Sequence, residues 1–72
     1  MLEWARFLAT RRVTDTPRGD FLTDAYRDAD MLNADSWDKV DFILRRKHAC
    51  VEAIREGRKL WRQYQKALTI QN

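Results

Sequence analysis

Four stretches of the chain space their apolar residues three and four positions apart, as one side of an amphipathic helix does. The spacing predicts helices over residues 2–12, 17–28, 36–46 and 48–68. The apolar positions that define them are, in chain order, Trp4, Phe7, Leu8, Phe21, Leu22, Ala25, Trp37, Val40, Ile43, Leu44, Ala49, Cys50, Ile54, Gly57, Trp61, Tyr64 and Leu68. Because the connections between the helices are short, we expect an all-α fold, a compact four-helix bundle.

The residues around Pro17 mark the start of the second helix. The Thr16 hydroxyl can cap that helix, and Pro17 suits its first position, where the missing N–H would have no partner within the helix. Residues 13–15 form the short connection from the first helix. The acidic run 28–30 opposes the dipole of a helix C-terminus, so the second helix should end there and the apolar residues 31–34 should form a loop.

The third helix is framed by Ser36, a favourable N-cap, and by the basic run 45–48, which interrupts the apolar stripe. We therefore predict a break between the third and fourth helices near residue 47. Neither Gly nor Pro lies there, so the alternative is a single helix over residues 36–68, which would favour a dimeric coiled coil. The core expected for the bundle is Trp4, Leu8, Phe21, Leu22, Ala25, Val40, Ile43, Leu44, Ile54, Trp61 and Tyr64.

The length of 72 residues leaves room for one helical domain over residues 1–72. The single cysteine, Cys50, excludes an internal disulfide and a metal site built on a cysteine pair, and it fits a reducing, cytoplasmic setting. The first residues are charged where a signal peptide is apolar, and no apolar run approaches the roughly 20 residues that cross a bilayer. We expect neither an export signal nor a membrane span.

Charge is segregated along the sequence, although the formal net charge is only +3. Residues 1–14 carry a charge of +2, residues 15–41 carry −5, and residues 42–72 carry +6. The acidic middle can therefore pair with the basic ends, either within one molecule or across an interface.

The sequence at the start of the second helix resembles a known family. Residues 15–25 match the pattern "D-x-P-x-G-D-hydrophobic-x-x-D-A" of the YozE-like family of small bacterial and phage proteins. The flanks agree, since residues 4–12 form an aromatic-rich segment followed by arginine, and Trp61 and Tyr64 form the family's W-x-x-Y pair. The resemblance covers roughly residues 2–66 and implies a SAM-like arrangement of the helices, but no activity. The chain departs from the family at residues 31–34, where members often have Phe-Pro.

The structural motif that the resemblance implies consists of Thr16, Pro17, Gly19, Asp20, Trp61 and Tyr64. We expect Gly19 to be small because the helix packs closely there, and Asp20 to support the turn by accepting hydrogen bonds from the backbone or an arginine. A chain this short can spare at most one aromatic side chain from its core, and Tyr26 or Trp37 is the expected one.

Residues that could carry chemistry are few. Asp20, Asp24 and Asp28, here called the acidic row, share one helix side, but a divalent cation needs ligands that converge from more than one segment. His48 and Cys50 point in different directions because two residues turn a helix by about 200°, and Cys50 belongs to an apolar stripe, so we expect it in the core. We expect no catalytic site, no metal and no cofactor.

The fourth helix carries the strongest candidate for a functional surface. Arg55, Arg58, Lys59 and Arg62 follow one another at spacings of three and four, so four cations share one side, where they could follow a phosphate backbone or simply face solvent. This side of the fourth helix is positive and the acidic row is negative. A surface with both signs of charge favours binding to a protein over binding to nucleic acid. We therefore expect a protein–protein interaction module, with self-association open. The alternative is a weak nucleic-acid-binding protein that uses the basic face.

Overall fold

Helices account for most of the residues that the structure describes. The computed structural model describes residues 3–12 and 16–71. Its elements are, in chain order, α1 (Trp4–Ala9), α2 (Pro17–Tyr26), α3 (Ala29–Leu32), α4 (Trp37–Arg46) and α5 (Val51–Gln71). The described ranges contain no strand, so the predicted all-α fold is confirmed, with α3 as a single turn beside four main helices. The helix start at Leu2 and the connection over residues 13–15 lie outside the described residues.

The first helix is shorter than the predicted range of 2–12 and ends at Ala9. The Thr10 hydroxyl donates a hydrogen bond to the Phe7 carbonyl over 2.7 Å, and the Arg11 amide bonds to the Leu8 carbonyl, three residues back. Such bonds tighten and end a helix because they replace the bonds to the fourth preceding residue. The Arg11 guanidinium then folds over the Phe7 ring, 4.3 Å from its centroid.

The start of α2 is the predicted one. Pro17 is its first residue, and the Thr16 hydroxyl accepts a hydrogen bond from the Gly19 amide over 3.2 Å. This bond satisfies one of the amides that have no partner within the helix.

The end of α2 differs from the prediction, because the helix stops at Tyr26 rather than at residue 28. Asp28 instead caps α3, since its Oδ1 accepts hydrogen bonds from the amides of Asp30 (2.9 Å) and Met31 (3.2 Å). The prediction of a loop over residues 31–34 is therefore wrong for residues 31–32, which belong to α3. The Met31 side chain is fully buried.

The predicted break between the third and fourth helices is confirmed, and α5 begins at Val51 rather than at residue 48. His48 adopts the left-handed conformation with φ 58°. Its amide bonds to the Arg45 carbonyl over 3.1 Å, and the Ala49 amide bonds to the Leu44 carbonyl over 3.0 Å. These two bonds form a Schellman motif, in which a left-handed residue ends a helix. A histidine, not a glycine, fills that position here.

The core is a single cluster of buried side chains from all five helices. Its members are Trp4, Phe7, Leu8, Phe21, Leu22, Ala25, Met31, Ala34, Val40, Leu44, Ala53, Leu60 and Trp61. Of the predicted core residues, Ile43, Ile54 and Tyr64 are only partly buried and pack against this cluster. The prediction for Cys50 is wrong, because its side chain is exposed just before α5 begins.

Aromatic side chains join the first helix to the last. The Trp4 ring lies 4.7 Å from the Trp61 ring in an edge-to-face arrangement and 5.4 Å from the Tyr64 ring, measured between centroids. Such pairs add to the hydrophobic stabilisation of a small domain. The radius of gyration of 11.4 Å is close to the value of about 11 Å expected for a globular chain of this length.

The most extensive helix–helix contact is that between α2 and α5. Gly57 of α5 lies against the ring of Phe21 from α2, and both residues are buried. A glycine at this position lets an aromatic ring approach the helix backbone closely.

Candidate functional site

The clearest candidate site is a groove between α4 and α5, which we call the basic groove. Its lining residues are Trp37, Asp41, Arg45, Val51, Ile54, Arg55, Arg58, Lys59 and Arg62. The α4 residues recur every four positions, and the α5 residues recur every three or four, so each helix contributes one side. The structure thus brings all four cations predicted for the interaction face into one groove.

The groove carries more positive charge than the carboxylates of residues 3–12 and 16–71 neutralise through ion pairs. Arg45 is paired with Asp41, its Nε lying 3.0 Å and 2.9 Å from the two carboxylate oxygens. Lys59 lies 3.5 Å from Glu56. The guanidinium groups of Arg55, Arg58 and Arg62 form no ion pair with a carboxylate within the described ranges. Three cations are therefore available to a ligand.

The floor of the groove is apolar. Trp37 is half-buried there, and the Arg58 guanidinium carbon lies 5.3 Å from the centre of its ring, within the range of a cation–π interaction. Val51, 62 % exposed, and the half-buried Ile54 complete the floor. Trp37 is one of the two aromatic residues expected to be spared from the core. The sequence did not place it beside the cations, because that depends on how α4 and α5 meet.

Tyr26, the other expected residue, has a structural contact. Its hydroxyl donates a hydrogen bond to the Leu8 carbonyl at the end of α1 and lies 3.4 Å from the Arg11 carbonyl. Partial burial raises the pKa of the Tyr26 hydroxyl above its usual value. Tyr26 thus links α2 to α1.

The acidic row does not form a continuous face. Asp20 and Asp24 are exposed on α2, whereas Asp28 lies beyond the end of that helix. The Asp28 carboxylate pairs with Lys47 across a distance of 2.5 Å, and its side chain is only 13 % exposed. The hydrogen bond from Lys47 holds the pKa of Asp28 below its usual value. Asp28 therefore stabilises the fold. The pair joins the acidic segment 15–41 to the basic segment 42–72, as the charge pattern predicts.

The remaining motif residues are structural, with one exception. Gly19 is buried at the start of α2, and Trp61 and Tyr64 lie in the aromatic cluster. Asp20 forms none of the expected hydrogen bonds with the part of the chain that the structure describes. Its expected support of the turn is therefore not seen.

His48 and Cys50 occupy the connection between α4 and α5. His48 ends α4 through its backbone, and the Cys50 carbonyl accepts a hydrogen bond from the Ile54 amide in the first turn of α5.

Across residues 3–12 and 16–71, no three His, Cys, Asp or Glu side chains group in a way that could hold a metal ion.

Phe42, the most exposed aromatic residue of the protein at 64 %, was missed by the sequence reasoning. A signal was present, because Phe42 lies off the stripe formed by Trp37, Val40 and Leu44. An apolar residue outside the core stripe of its helix is expected to face solvent, so the sequence pattern predicts the exposure of Phe42.

No family model, curated protein or solved structure matches the chain. The resemblance to the YozE-like family and the SAM-like arrangement therefore stay predictions. None of the helices within the described residues is long and apolar enough to cross a membrane.

Proposed function

We propose that this protein is a small non-enzymatic interaction module whose basic groove binds an acidic segment of a partner protein. The observation that carries the proposal is the combination of an apolar floor around Trp37 and three guanidinium groups that have no carboxylate partner among the described residues. Arginine binds carboxylates in a planar, two-point geometry, and arginine and tryptophan are enriched at the centres of protein interfaces. A segment that alternates carboxylates with apolar side chains satisfies both parts of the groove.

Nucleic-acid binding is the alternative for the same groove, and two observations disfavour it. Arg58 covers one face of the Trp37 ring, so that face is not free to stack on a base. The groove floor around Trp37, Val51 and Ile54 is apolar, so it accepts the apolar side chains of a peptide but offers no partner to a phosphate backbone.

The test is a titration with defined probes. A labelled amphipathic peptide of glutamate and leucine is compared with duplex DNA, single-stranded DNA and RNA oligonucleotides at two salt concentrations. We expect the peptide to bind and to change the fluorescence of Trp37, which is more exposed than the other two tryptophans. The triple variant Arg55→Glu, Arg58→Glu, Arg62→Glu should lose this binding.

The matched control replaces three exposed arginines outside the groove with glutamate and so changes the net charge by the same amount. These arginines are Arg6, Arg12 and Arg27. This control should keep peptide binding if the groove is the site. Tighter binding of an oligonucleotide than of the peptide, with a salt slope of about −3 that disappears in the groove variant, would establish the alternative function instead. If both triple variants lose peptide binding to the same extent, then binding depends on net charge alone and the proposal is wrong.

A further inference from the structure

A second surface lies on α4, about 100° around the helix from the residues that line the basic groove. Its centre is Phe42, which is 64 % exposed near the middle of a ten-residue helix. A shallow apolar notch beside it is formed with Ala34 and Ile43. A single exposed apolar side chain is common on protein surfaces, so the Phe42 ring is informative here because it adjoins the apolar notch and lies between two charges of opposite sign.

Four charged residues line the notch, namely Asp30, Asp38, Lys39 and Arg46, and two of them are placed symmetrically about Phe42. Asp38 lies four residues before it and Arg46 four residues after it, so the two charges flank the ring on one side of α4, each about 6 Å along the axis. Both side chains are exposed, and neither forms an ion pair with any residue that the structure describes. We call Asp38, Phe42 and Arg46 the α4 face.

We propose that the α4 face binds the same face of a second copy of this chain, with the two α4 helices antiparallel and the two-fold axis at Phe42. In that arrangement, a residue four positions before the axis faces the residue four positions after it in the other copy. Asp38 of each copy therefore faces Arg46 of the other, and the two Phe42 rings pack against each other. The face is complementary to itself, and this is why a second copy is its expected partner.

The position of the charges has another partial explanation, since acid in the first turn and base in the last turn both suit the helix dipole. The dipole does not account for an exposed phenyl ring midway between them. Two helices of three turns bury less than the roughly 1,200 Å² of a standard interface, so the dimer should be weak and reversible. This inference is independent of the proposed function, because the basic groove is not part of the α4 face.

The experiment is sedimentation velocity from low micromolar concentration to about 1 mM, where weak dimers form. The wild-type protein should shift from monomer to dimer across this range. Asp38→Arg and Arg46→Asp each replace two attractive contacts with two repulsive ones, so each variant should raise the dimer dissociation constant at least about tenfold. An equimolar mixture of the two variants should form the dimer again, since the introduced arginine of one faces the introduced aspartate of the other.

The control variants are Asp24→Arg and Arg27→Asp, which change the charge equally at exposed positions on and just after α2. They should dimerise as the wild type does. Phe42→Ala should weaken the dimer while the circular dichroism spectrum stays unchanged, because the ring is outside the core. A wild-type protein that stays monomeric at the highest concentration overturns the proposal, and so does a mixture of the two α4 variants that stays monomeric.

Discussion

Replacement of Gly57 by alanine sets two opposing effects against each other in the centre of α5. Glycine inside a helix is less favourable than alanine by about 0.5–1 kcal/mol, so the change should stabilise an exposed position. At Gly57, however, an added Cβ would lie 2.6 Å from Cε1 and 2.8 Å from Cδ1 of Phe21. Carbon atoms that are not bonded prefer separations of about 3.5–4.0 Å.

The Phe21 ring must therefore move by about 1 Å, although it is fully buried. Extra volume in a packed core costs about 1–3 kcal/mol, which exceeds the gain in helix propensity. We expect Gly57→Ala to lower the free energy of unfolding by about 1 kcal/mol and the thermal midpoint by about 4–8 °C, as for domains of this size.

Urea and thermal unfolding measure this change. The matched control compares Gln63→Gly with Gln63→Ala. The difference in their free energies of unfolding measures the effect of glycine relative to alanine at an exposed position of the same helix. In the Phe21→Leu background the ring is absent, so Gly57→Ala should become neutral or stabilising. If Gly57→Ala instead raises the midpoint by as much as the control pair differs, then the contact with Phe21 does not restrict this position and the reasoning is wrong.

Three further substitutions test the helix ends. His48→Gly should stabilise the protein by about 0.5–1 kcal/mol, since a left-handed residue other than glycine is strained, and a lower thermal midpoint would contradict this. Tyr26→Phe removes the hydrogen bond to the Leu8 carbonyl and should cost about 1 kcal/mol, measured by urea unfolding. Asp28→Asn keeps the cap of α3 but removes the ion pair with Lys47, so it should destabilise the protein at pH 7. Because the folded pKa of Asp28 is lowered, its contribution is present above its unfolded pKa of about 3.9 and is lost as the pH falls through the folded value. The difference between wild type and variant should therefore vanish in unfolding experiments at lower pH, and a constant difference would count against the ion pair.

Local signals predicted the elements well where capping chemistry is encoded in adjacent residues. The start of α2 is set by Thr16 followed by Pro17, and the start of α4 is set by Ser36. In both cases the side-chain hydroxyl accepts a hydrogen bond from an amide three residues later, so the signal is local. The break after α4 was also predicted, but its cause was not, because a left-handed histidine has no distinctive sequence signal. The helix α3 was missed for a similar reason, since Asp28 could be interpreted either as the end of one helix or as the cap of the next.

The core of α5 was predicted too narrowly. A single stripe through Gly57 and Trp61 was correct, but Ala53 and Leu60 are also buried. This helix contacts both α2 and α4, so its apolar arc is wider than one partner would require. The predicted stripe also began two residues too early, because Ala49 and Cys50 lie in the connection before the helix, where Ala49 packs against the core and Cys50 is exposed.

The candidate site was predicted in part. The spacing of the α5 cations was sufficient to place them on one side of the helix, because that depends on helical geometry alone. Their position around Trp37 depends on the way α4 returns along α5 after the connection at residues 47–50, which is a tertiary property. The exposure of Phe42 is likewise decided by which sides of α4 face the rest of the bundle.

The attachment of α4 has a consequence for the exchange of its amide hydrogens with solvent. Only Val40 and Leu44 of this helix are fully buried, and its contact with α5 is less extensive than that of α2. Detachment of α4 would leave the Trp4–Trp61 contact between α1 and α5 in place, so the helix can open as a separate cooperative unit. Deuterium should therefore enter α4 faster than the centre of α5, and any molecule that binds along α4 should slow that uptake.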